Sequence, residues 1–320
     1  MGSWTAADIP DLTGRTAFIT GANSGLGLRS AEALAARGAA VLMGCRSAER
    51  GAAALTRVAA VATGPAPVVV PLDLADLGAV KDAAAEVAGI APALDVLMNN
   101  AGIMAVPLQR TADGFEMQYG TNHLGHYALT GHLLPRLLAS SDGGRVVTTS
   151  SGAHKGARSL GDDPDYRSSR YHRWGAYSRS KLANLLFMRE LGRRAAEAGT
   201  RLTSVAAHPG YAATHLQGAS AEAAGIWPVR KVAGLFMAIG NKVVAQSDTA
   251  GARPQLYAAT MPDVGSGDYV GPDGPGEMRG GPTRVRPSAA AQDDDAARRL
   301  WERSEESTGV VYDWGVPSAG

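Results

Sequence analysis

The chain has 320 residues, of which 45% are hydrophobic, and 31 basic and 30 acidic residues give it a formal net charge of +1. This length allows one large α/β domain or two small ones, and the near-zero charge gives no indication of nucleic-acid binding. The single cysteine, Cys45, excludes an internal disulfide, and Met1–Thr13 lacks the pattern of a signal peptide. We therefore expect a protein of the reducing cytoplasm.

A glycine-rich turn lies between the first predicted strand and the first predicted helix. The apolar run Arg15–Thr20 predicts a strand, and the helix formers of Leu28–Arg37 predict a helix that ends at Gly38. Glycines in this position permit a tight turn and let the backbone approach a pyrophosphate at the helix N-terminus. The pattern favours dinucleotide binding over a simple turn in a glycine-rich chain. The residues predicted to hold the cofactor here are Gly21, Asn23, Ser24, Gly25, Leu26 and Gly27.

The second predicted strand, Ala39–Gly44, is followed by a basic residue where an NAD site usually has an acidic one. Arg46 offers a planar guanidinium that suits a phosphate, whereas a carboxylate would repel the 2′-phosphate of NADP. A solvent-facing arginine in a strand-to-helix loop is the alternative interpretation. We therefore expect a preference for NADP(H) over NAD(H).

Tyr177 and Lys181 stand four residues apart, a spacing that places two side chains on one face of a helix. A phenol ionises more readily beside an ammonium group, because the positive charge stabilises the phenolate. Together with the upstream pair Ser150 and Ser151, this spacing predicts a catalytic proton donor or acceptor that works near neutral pH.

These motifs together resemble those of the short-chain dehydrogenase/reductase family, and the resemblance covers most of the chain. Thr20–Gly27 matches the TGxxxGxG motif, Asn99–Gly102 the NNAG motif, and Tyr177–Lys181 the YxxxK motif of that family. The resemblance implies an α/β fold with a Rossmann-type doubly wound parallel sheet and helices on both faces. It also implies one domain over residues 1–320.

The resemblance implies particular roles. Ser151 would orient the carbonyl, Tyr177 would act as general acid/base, and Asn122 would hold a water in the proton relay. Lys181 would lower the pKa of Tyr177 and anchor the nicotinamide ribose. Tyr177 and Lys181 would both also contact the cofactor. The further cofactor contacts implied are Asp73, Leu74, Asn100, Ala101, Gly102, Pro209, Gly210 and Thr214.

The implied reaction interconverts a ketone or aldehyde and an alcohol by hydride transfer with NADP(H). Finer features in Ser150–His154 and Tyr177–Asn184 resemble the retinol-dehydrogenase-like and protochlorophyllide-reductase-like branch, which does not make retinol the substrate. A catalytically silent dinucleotide-binding sensor or scaffold is one alternative, which the intact catalytic residues disfavour. An epimerase or dehydratase of the extended family is another, which the short spacing of the glycines disfavours.

The substrate-binding segment is expected at about residues 211–245. Its apolar stretch, 225–244, is interrupted by Arg230 and Lys231, so it is too short to span a bilayer. We expect a lid over a pocket for a bulky, largely apolar carbonyl or alcohol, with a membrane-surface helix as the alternative. Membrane contact is therefore not expected.

Three further expectations concern metal, assembly and the C-terminus. His123 and His126 lie three residues apart without a second pair of ligands nearby, so no metal site is expected. A homodimer and a homotetramer both stay open. Asp268–Val270 is expected to be the last strand, and the chain from about residue 282 is expected to form a C-terminal tail that contains a helix at Asp293–Glu302.

Overall fold

A computed structural model describes residues 4–210 and 247–315. The predicted lid segment at about 211–245 lies outside the described residues, and so does the predicted cofactor contact Thr214.

The strands of the described residues form one sheet in the order β3-β2-β1-β4-β5-β6-β7-β8. Strands β1 to β7 are parallel, and β8 runs antiparallel to β7. The strand order reverses between β1 and β4, which is where doubly wound sheets bind ligands. The strands are β1 (Thr16–Thr20), β2 (Ala40–Cys45), β3 (Val68–Pro71), β4 (Val96–Asn99), β5 (Arg145–Thr149), β6 (Thr203–Ala207), β7 (Tyr269–Pro272) and β8 (Pro282–Arg284).

Helices cover both faces of the sheet, and polar side chains cap several of their N-termini. Asp76, for example, accepts hydrogen bonds from the backbone N–H groups of Gly78 and Ala79 at the start of α3. A short helical turn, Met117–Tyr119, and a π-helical segment, Gly120–Leu124, lead directly into α4. The helices are α1 (Gly25–Ala35), α2 (Ala48–Ala59), α3 (Leu77–Ile90), α4 (Gly125–Leu138), α5 (Arg173–Glu197), α6 (Asp248–Thr260) and α7 (Asp294–Thr308).

Alternation along the strands divides the core into two layers. In β1, Ile19 packs among the side chains of α1 and α6, whereas its neighbour Phe18 packs among those of α3 and α4. Successive strand residues point to opposite faces, so each apolar strand supplies both layers. The predicted doubly wound parallel α/β sheet is thus confirmed, with one antiparallel strand added at its edge.

The chain from about residue 282 was expected to form a C-terminal tail, but it is more ordered than a tail. The predicted helix is confirmed as α7, but β8 shows that β7 is not the last strand of the described chain. After α7, Val310 and Tyr312 are 8% and 6% exposed and pack beside Tyr127. The sequence did not reveal this because β8 is a short edge strand without an apolar run. The two apolar residues also bury against partners far away in the chain.

Candidate active site

A groove of about 330 Å³ opens at the carboxyl ends of β1 to β4. Most of the predicted cofactor residues line it: Gly21, Asn23, Ser24, Gly25, Leu26, Gly27, Arg46, Asp73, Leu74, Asn100, Ala101 and Gly102. It also contains residues that the sequence analysis did not assign to the cofactor: Gly44, Arg50, Leu72, Ile103 and Thr121.

The floor of the groove is made of closely packed backbone. Gly21 has a φ of +68°, which favours glycine, and a Cβ atom on Gly27 would lie 2.6 Å from Nδ2 of Asn100. The hydroxyl of Thr20 accepts hydrogen bonds from the backbone N–H groups of Asn100 (3.0 Å) and Ala101 (2.9 Å). The glycine turn and the NNAG segment are therefore joined into one rigid cradle.

The N-terminus of α1 faces this cradle and is not capped by a side chain. Ser24 occupies the N-cap position, but its hydroxyl accepts no hydrogen bond from the first turn. The first N–H groups of a helix have no partner within the helix, and the helix dipole makes this end positive. The cradle therefore suits an anionic group.

Two arginines lie at the end of the groove that β2 borders. Arg46 follows β2, and Arg50 lies in the first turn of α2, whose N-terminus starts at the same edge of the sheet. Among the described residues, neither guanidinium has a carboxylate partner. The sequence analysis did not assign Arg50 to the groove. The position of Arg50 in the first helical turn after β2 is the sequence signal that could have assigned it to the groove.

Tyr177 and Lys181 lie on one face of α5, as their spacing predicted. The helix begins after His172, whose Nδ1 accepts a hydrogen bond from the N–H of Gly175 at 3.0 Å. The ammonium of Lys181 is buried, donates to the carbonyl oxygen of Thr149 at 3.1 Å, and lies 5.8 Å from the ring centroid of Tyr177. The end of β5 thus positions the lysine beside the tyrosine.

The two serines after β5 are in different environments. Ser150 is buried, and its hydroxyl donates to the carbonyl oxygen of Lys181 at 2.8 Å, so it fastens β5 to α5. Ser151 caps the 3-10 turn Gly152–Gly156, and its hydroxyl also interacts with the phenol of Tyr177. Of the two serines, Ser151 is the one placed beside the phenol.

Burial dominates the pKa of Tyr177. Burial raises the pKa of this phenol above its usual value of 10.0, and the hydrogen bond with Ser151 opposes the rise only in part. Burial also lowers the pKa of Lys181 to about 8. Burial therefore determines the net direction of the shift, and the expected lowering of the Tyr177 pKa by Lys181 stays a prediction.

The side chain of Asn122 holds the loop after β4 against the catalytic helix. Its Oδ1 accepts from the N–H of Ile103 at 2.8 Å, and its Nδ2 donates to the carbonyl oxygen of Ile103 and to Ser180 Oγ, both at 2.9 Å. Ser180 in turn donates to the carbonyl oxygen of Tyr177 at 2.8 Å. Asn122 is therefore a structural link to Tyr177 as well as the predicted relay residue, and the relay role stays a prediction.

His126 joins the cradle to this link. Its Nδ1 lies 3.0 Å from the carbonyl oxygen of Asn122, and its Nε2 lies 2.9 Å from Thr20 Oγ1. The carbonyl can only accept, so Nδ1 carries the proton and Nε2 accepts from the hydroxyl. Burial lowers the pKa of His126 to about 4, which is consistent with this neutral form. His123, three residues earlier, is bonded to Ser304 at 2.8 Å.

Pro209 and Gly210 follow β6, the neighbour of β5 in the sheet, and so lie beside the Ser151 loop. Gly210 has a φ of +69°, and its N–H donates to Nδ1 of His208 at 3.2 Å.

Within 4–210 and 247–315, no helix is both long and apolar enough to cross a lipid bilayer.

The doubly wound sheet and the glycine cradle at its strand ends define a Rossmann-type nucleotide-binding protein. Residues 15–225 match the short chain dehydrogenase family, and the chain belongs to this family. It is 40% identical over 313 residues to retinol dehydrogenase 14 of Homo sapiens, a match that covers 93% of this chain and 87% of that protein. It is 34% identical over 299 residues to human retinol dehydrogenase 13, covering 93% and 86% of the two chains.

Similarity to a solved structure extends over nearly the whole chain. The crystal structure of an uncharacterized protein from Mycobacterium Paratuberculosis is 44% identical, with a TM-score of 0.79, and the match covers 98% of this chain and 100% of that one. The chain is thus a retinol-dehydrogenase-like member of a family of oxidoreductases. These enzymes use a nicotinamide dinucleotide to interconvert alcohols and carbonyl compounds by hydride transfer.

Proposed function

We propose that this protein is an NADP(H)-dependent oxidoreductase that interconverts a ketone or aldehyde and an alcohol, with Tyr177 as the general acid/base. The observation that carries the proposal is the position of the Tyr177 phenol. Tyr177 is buried, its hydroxyl interacts with the hydroxyl of Ser151, and its ring centroid lies 5.8 Å from the ammonium of Lys181.

The residues of the groove fit a nicotinamide dinucleotide phosphate. The glycine floor leaves room for a pyrophosphate against bare backbone, the uncapped N-terminus of α1 offers N–H donors, and Arg46 and Arg50 offer charge for a 2′-phosphate. Asp73 lines the same groove. When bound, the reduced cofactor would supply the hydride to the carbonyl carbon.

The side chains of the chain itself would handle the carbonyl oxygen. Ser151 would donate a hydrogen bond to this oxygen and stabilise its growing negative charge. Tyr177 would donate its proton to the same oxygen as the alcohol forms. Lys181 would place a positive charge near the phenolate that Tyr177 becomes, and Asn122 would help to restore the proton through a water.

The raised pKa of Tyr177 supports the reductive direction near neutral pH. A phenol with a pKa above 10.0 stays protonated there and is ready to act as an acid. Alcohol oxidation needs the phenolate instead, and it would require the charge of Lys181 to stabilise that form. We expect carbonyl reduction to be the faster reaction at neutral pH.

The substrate that we propose is a bulky, largely apolar aldehyde, ketone or alcohol. This rests on the apolar composition of residues 225–244 and on the similarity to retinol dehydrogenases. A cytoplasmic location, and a homodimeric or homotetrameric assembly, are expectations from the sequence alone.

A screen of aldehydes and ketones of graded size with NADPH and NADH tests the proposal. We expect loss of the reduced nicotinamide absorbance with NADPH, a smaller kcat/KM with NADH, and an alcohol product in stoichiometric amount. Tight NADPH binding without turnover of any carbonyl or alcohol would favour the sensor or scaffold. Conversion of a sugar nucleotide without net redox change would favour the epimerase or dehydratase.

A further inference from the structure

The loop between β7 and β8 folds back on itself beside the active site. Within it, the N–H of Gly274 donates to the carbonyl oxygen of Arg279 and the N–H of Gly281 donates to Oδ1 of Asp273, both at 2.9 Å. A Cβ atom on Gly210 would lie 2.5 Å from the carbonyl oxygen of Met278. The loop therefore has a defined shape and packs directly on the turn that follows β6.

Glu277 lies in this loop with an unusual backbone conformation. Its φ is +57°, a region that side-chain-bearing residues rarely adopt and that persists only where the surroundings hold it. One carboxylate oxygen accepts a hydrogen bond from Nζ of Lys155 at 2.8 Å, and the other lies 3.1 Å from Nε2 of His208. Glu277 thus reaches two other loops at once.

The ring of His208 is held in one tautomer. Its Nδ1 accepts a hydrogen bond from the N–H of Gly210, so the proton is on Nε2, which faces the carboxylate of Glu277. The N–H of Nε2 thus faces a negatively charged oxygen at 3.1 Å, and the contact is electrostatically attractive. A Cβ atom at position 271 would overlap His208 Nε2, so Gly271 leaves the room that the ring needs.

The three side chains Lys155, His208 and Glu277, which we call the latch, join loops that the sheet no longer holds. The N–H of Ser150 donates to the carbonyl oxygen of Ala207 at 2.8 Å. Beyond this bond, the described residues show no backbone hydrogen bond between the loop after β5 and the turn after β6. Lys155 lies on the 3-10 turn that follows Ser151, and His208 directly precedes Pro209.

We propose that Glu277 is a positioning residue: its carboxylate fixes the Ser151 loop and the Pro209–Gly210 turn relative to each other. The inference rests on the proposed function, in which Ser151 orients the carbonyl, and on the family resemblance, which implies that the Pro209–Gly210 turn meets the nicotinamide. The latch then sets the distance between the reacting carbonyl and the nicotinamide end of the cofactor. It lies away from the arginines and the glycine cradle, so it leaves the adenosine end untouched.

The test compares Glu277→Gln, Lys155→Met and the double variant with wild type. Three quantities are measured: kcat for a reactive carbonyl, the Kd of NADPH, and the Kd of 2′-phospho-ADP-ribose, which lacks the nicotinamide. We expect Glu277→Gln to lower kcat about tenfold, since small displacements at a reacting centre reduce rates strongly. NADPH should bind a few-fold more weakly, and the affinity for the nicotinamide-free analogue should not change.

Lys155→Met should have a smaller effect in the same direction, because it removes one of the two contacts of Glu277. The double variant should be no worse than Glu277→Gln, since both changes break the same link. Arg279→Met is the matched control: it removes an exposed charge from the same loop outside the latch and should behave as wild type. Thermal unfolding of each variant checks that the fold is retained.

An unchanged kcat and an unchanged ratio of the two Kd values in Glu277→Gln would overturn the inference. Equal weakening of NADPH and of the analogue, with a lower Tm, would also overturn it, because that pattern means a general loss of structure. If Glu277→Gln does not fold, Lys155→Met decides by the same criteria, since its side chain is 47% exposed. A wild type that turns over no carbonyl compound refutes the proposed function, whereas an active wild type with unaffected variants refutes only the latch.

Discussion

The cradle and the group formed by Asn122, Tyr177 and Ser180, which we call the catalytic wall, are built in different ways. The cradle is backbone: Gly21 and Gly27 leave space, and Thr20 holds the neighbouring segment through its N–H groups. The catalytic wall is made of side chains: Asn122 makes two hydrogen bonds to the backbone of Ile103 in the loop after β4 and one to Ser180. Ser180 in turn donates to the carbonyl oxygen of Tyr177. In the cradle, Gly27 leaves no room for an added Cβ atom, whereas the catalytic wall depends on the hydrogen bonds that the side chains of Asn122 and Ser180 make.

The largest expected effect is a loss of catalytic rate on removal of the Tyr177 hydroxyl, without a loss of cofactor binding. Tyr177→Phe removes the transferable proton and keeps the ring, so kcat should fall by about 10²–10⁴-fold, the usual contribution of a general acid. The cradle is untouched, and the Kd of NADPH should stay within about twofold of wild type, a change well below the strength of one hydrogen bond. Steady-state kinetics and a fluorescence titration on one preparation give both values. Retention of most activity would contradict the proposed mechanism.

The converse change is made in the cradle. Gly27→Ala places a methyl group against backbone of Gly21 and the Asn100 side chain, which cannot both move away. We expect a loss of about 3 kcal/mol in NADPH binding, in folding stability, or divided between them, which is the upper range for overpacking. Isothermal titration and urea unfolding measure the two parts.

Gly89→Ala is the matched control for this change. Gly89 lies in α3, and a Cβ atom there would meet nothing within 4 Å. Alanine should therefore stabilise the protein by about 0.5–1 kcal/mol, because glycine is a poor helix former. Equal effects of the two alanines would mean that the floor of the cradle is not close-packed.

Removing the two arginines at the edge of the cradle, one at a time, tests their role in cofactor preference. Arg46→Ala should weaken NADPH binding by about 1–3 kcal/mol, the size of a charge-assisted hydrogen bond, and should affect NADH little. Arg50→Ala should act in the same direction, because both side chains line the same end of the groove. The ratio of kcat/KM for the two cofactors reports the change. An equal loss with NADPH and NADH would show that Arg46 does not contact the 2′-phosphate.

The smallest expected effect concerns buried histidines outside the reacting groups. Burial lowers the pKa of His123 to about 3, so the folded form resists protonation. In the unfolded chain its pKa is near 6.5, so this stability is complete above that pH and is lost as the pH falls below it. His123→Phe should reduce the loss of unfolding free energy between about pH 7 and pH 5.5 by about 1 kcal/mol. Urea unfolding at both values measures this, and an unchanged pH dependence would contradict it.

The difference between the two regions also explains what the sequence could predict. The glycine turn of the cradle is local: Gly21, Gly25 and Gly27 stand in one short turn whose neighbours predict a strand and a helix, so spacing was sufficient. The bonds between Asn122 and Ile103, and between Glu277 and Lys155, join residues that no periodicity connects. The sequence therefore predicted most of the residues that line the groove but not what holds them there. It also missed the edge strand β8, whose three residues carry no apolar pattern.

The net direction of the Tyr177 pKa shift could not be predicted from the sequence for a related reason. The four-residue spacing correctly placed Lys181 on the same helix face, but spacing does not show that the ammonium donates to Thr149. Nor does it show how completely the phenol is buried. Burial and hydrogen-bond direction depend on the whole fold, so only the structure could supply them.

The packing of Val310 and Tyr312 has a consequence for biosynthesis. The hydroxyl of Tyr312 donates to the carbonyl oxygen of Tyr127 at 2.7 Å. The side chains of Val310 and Tyr312 fill the space beside Gly131 of α4. Strand β1 and the cradle leave the ribosome long before these residues are translated. Until then, the aromatic side chains of the core layer that supports the catalytic helix stay exposed to solvent. A nascent chain of this protein should therefore need protection from aggregation until residue 312 has emerged.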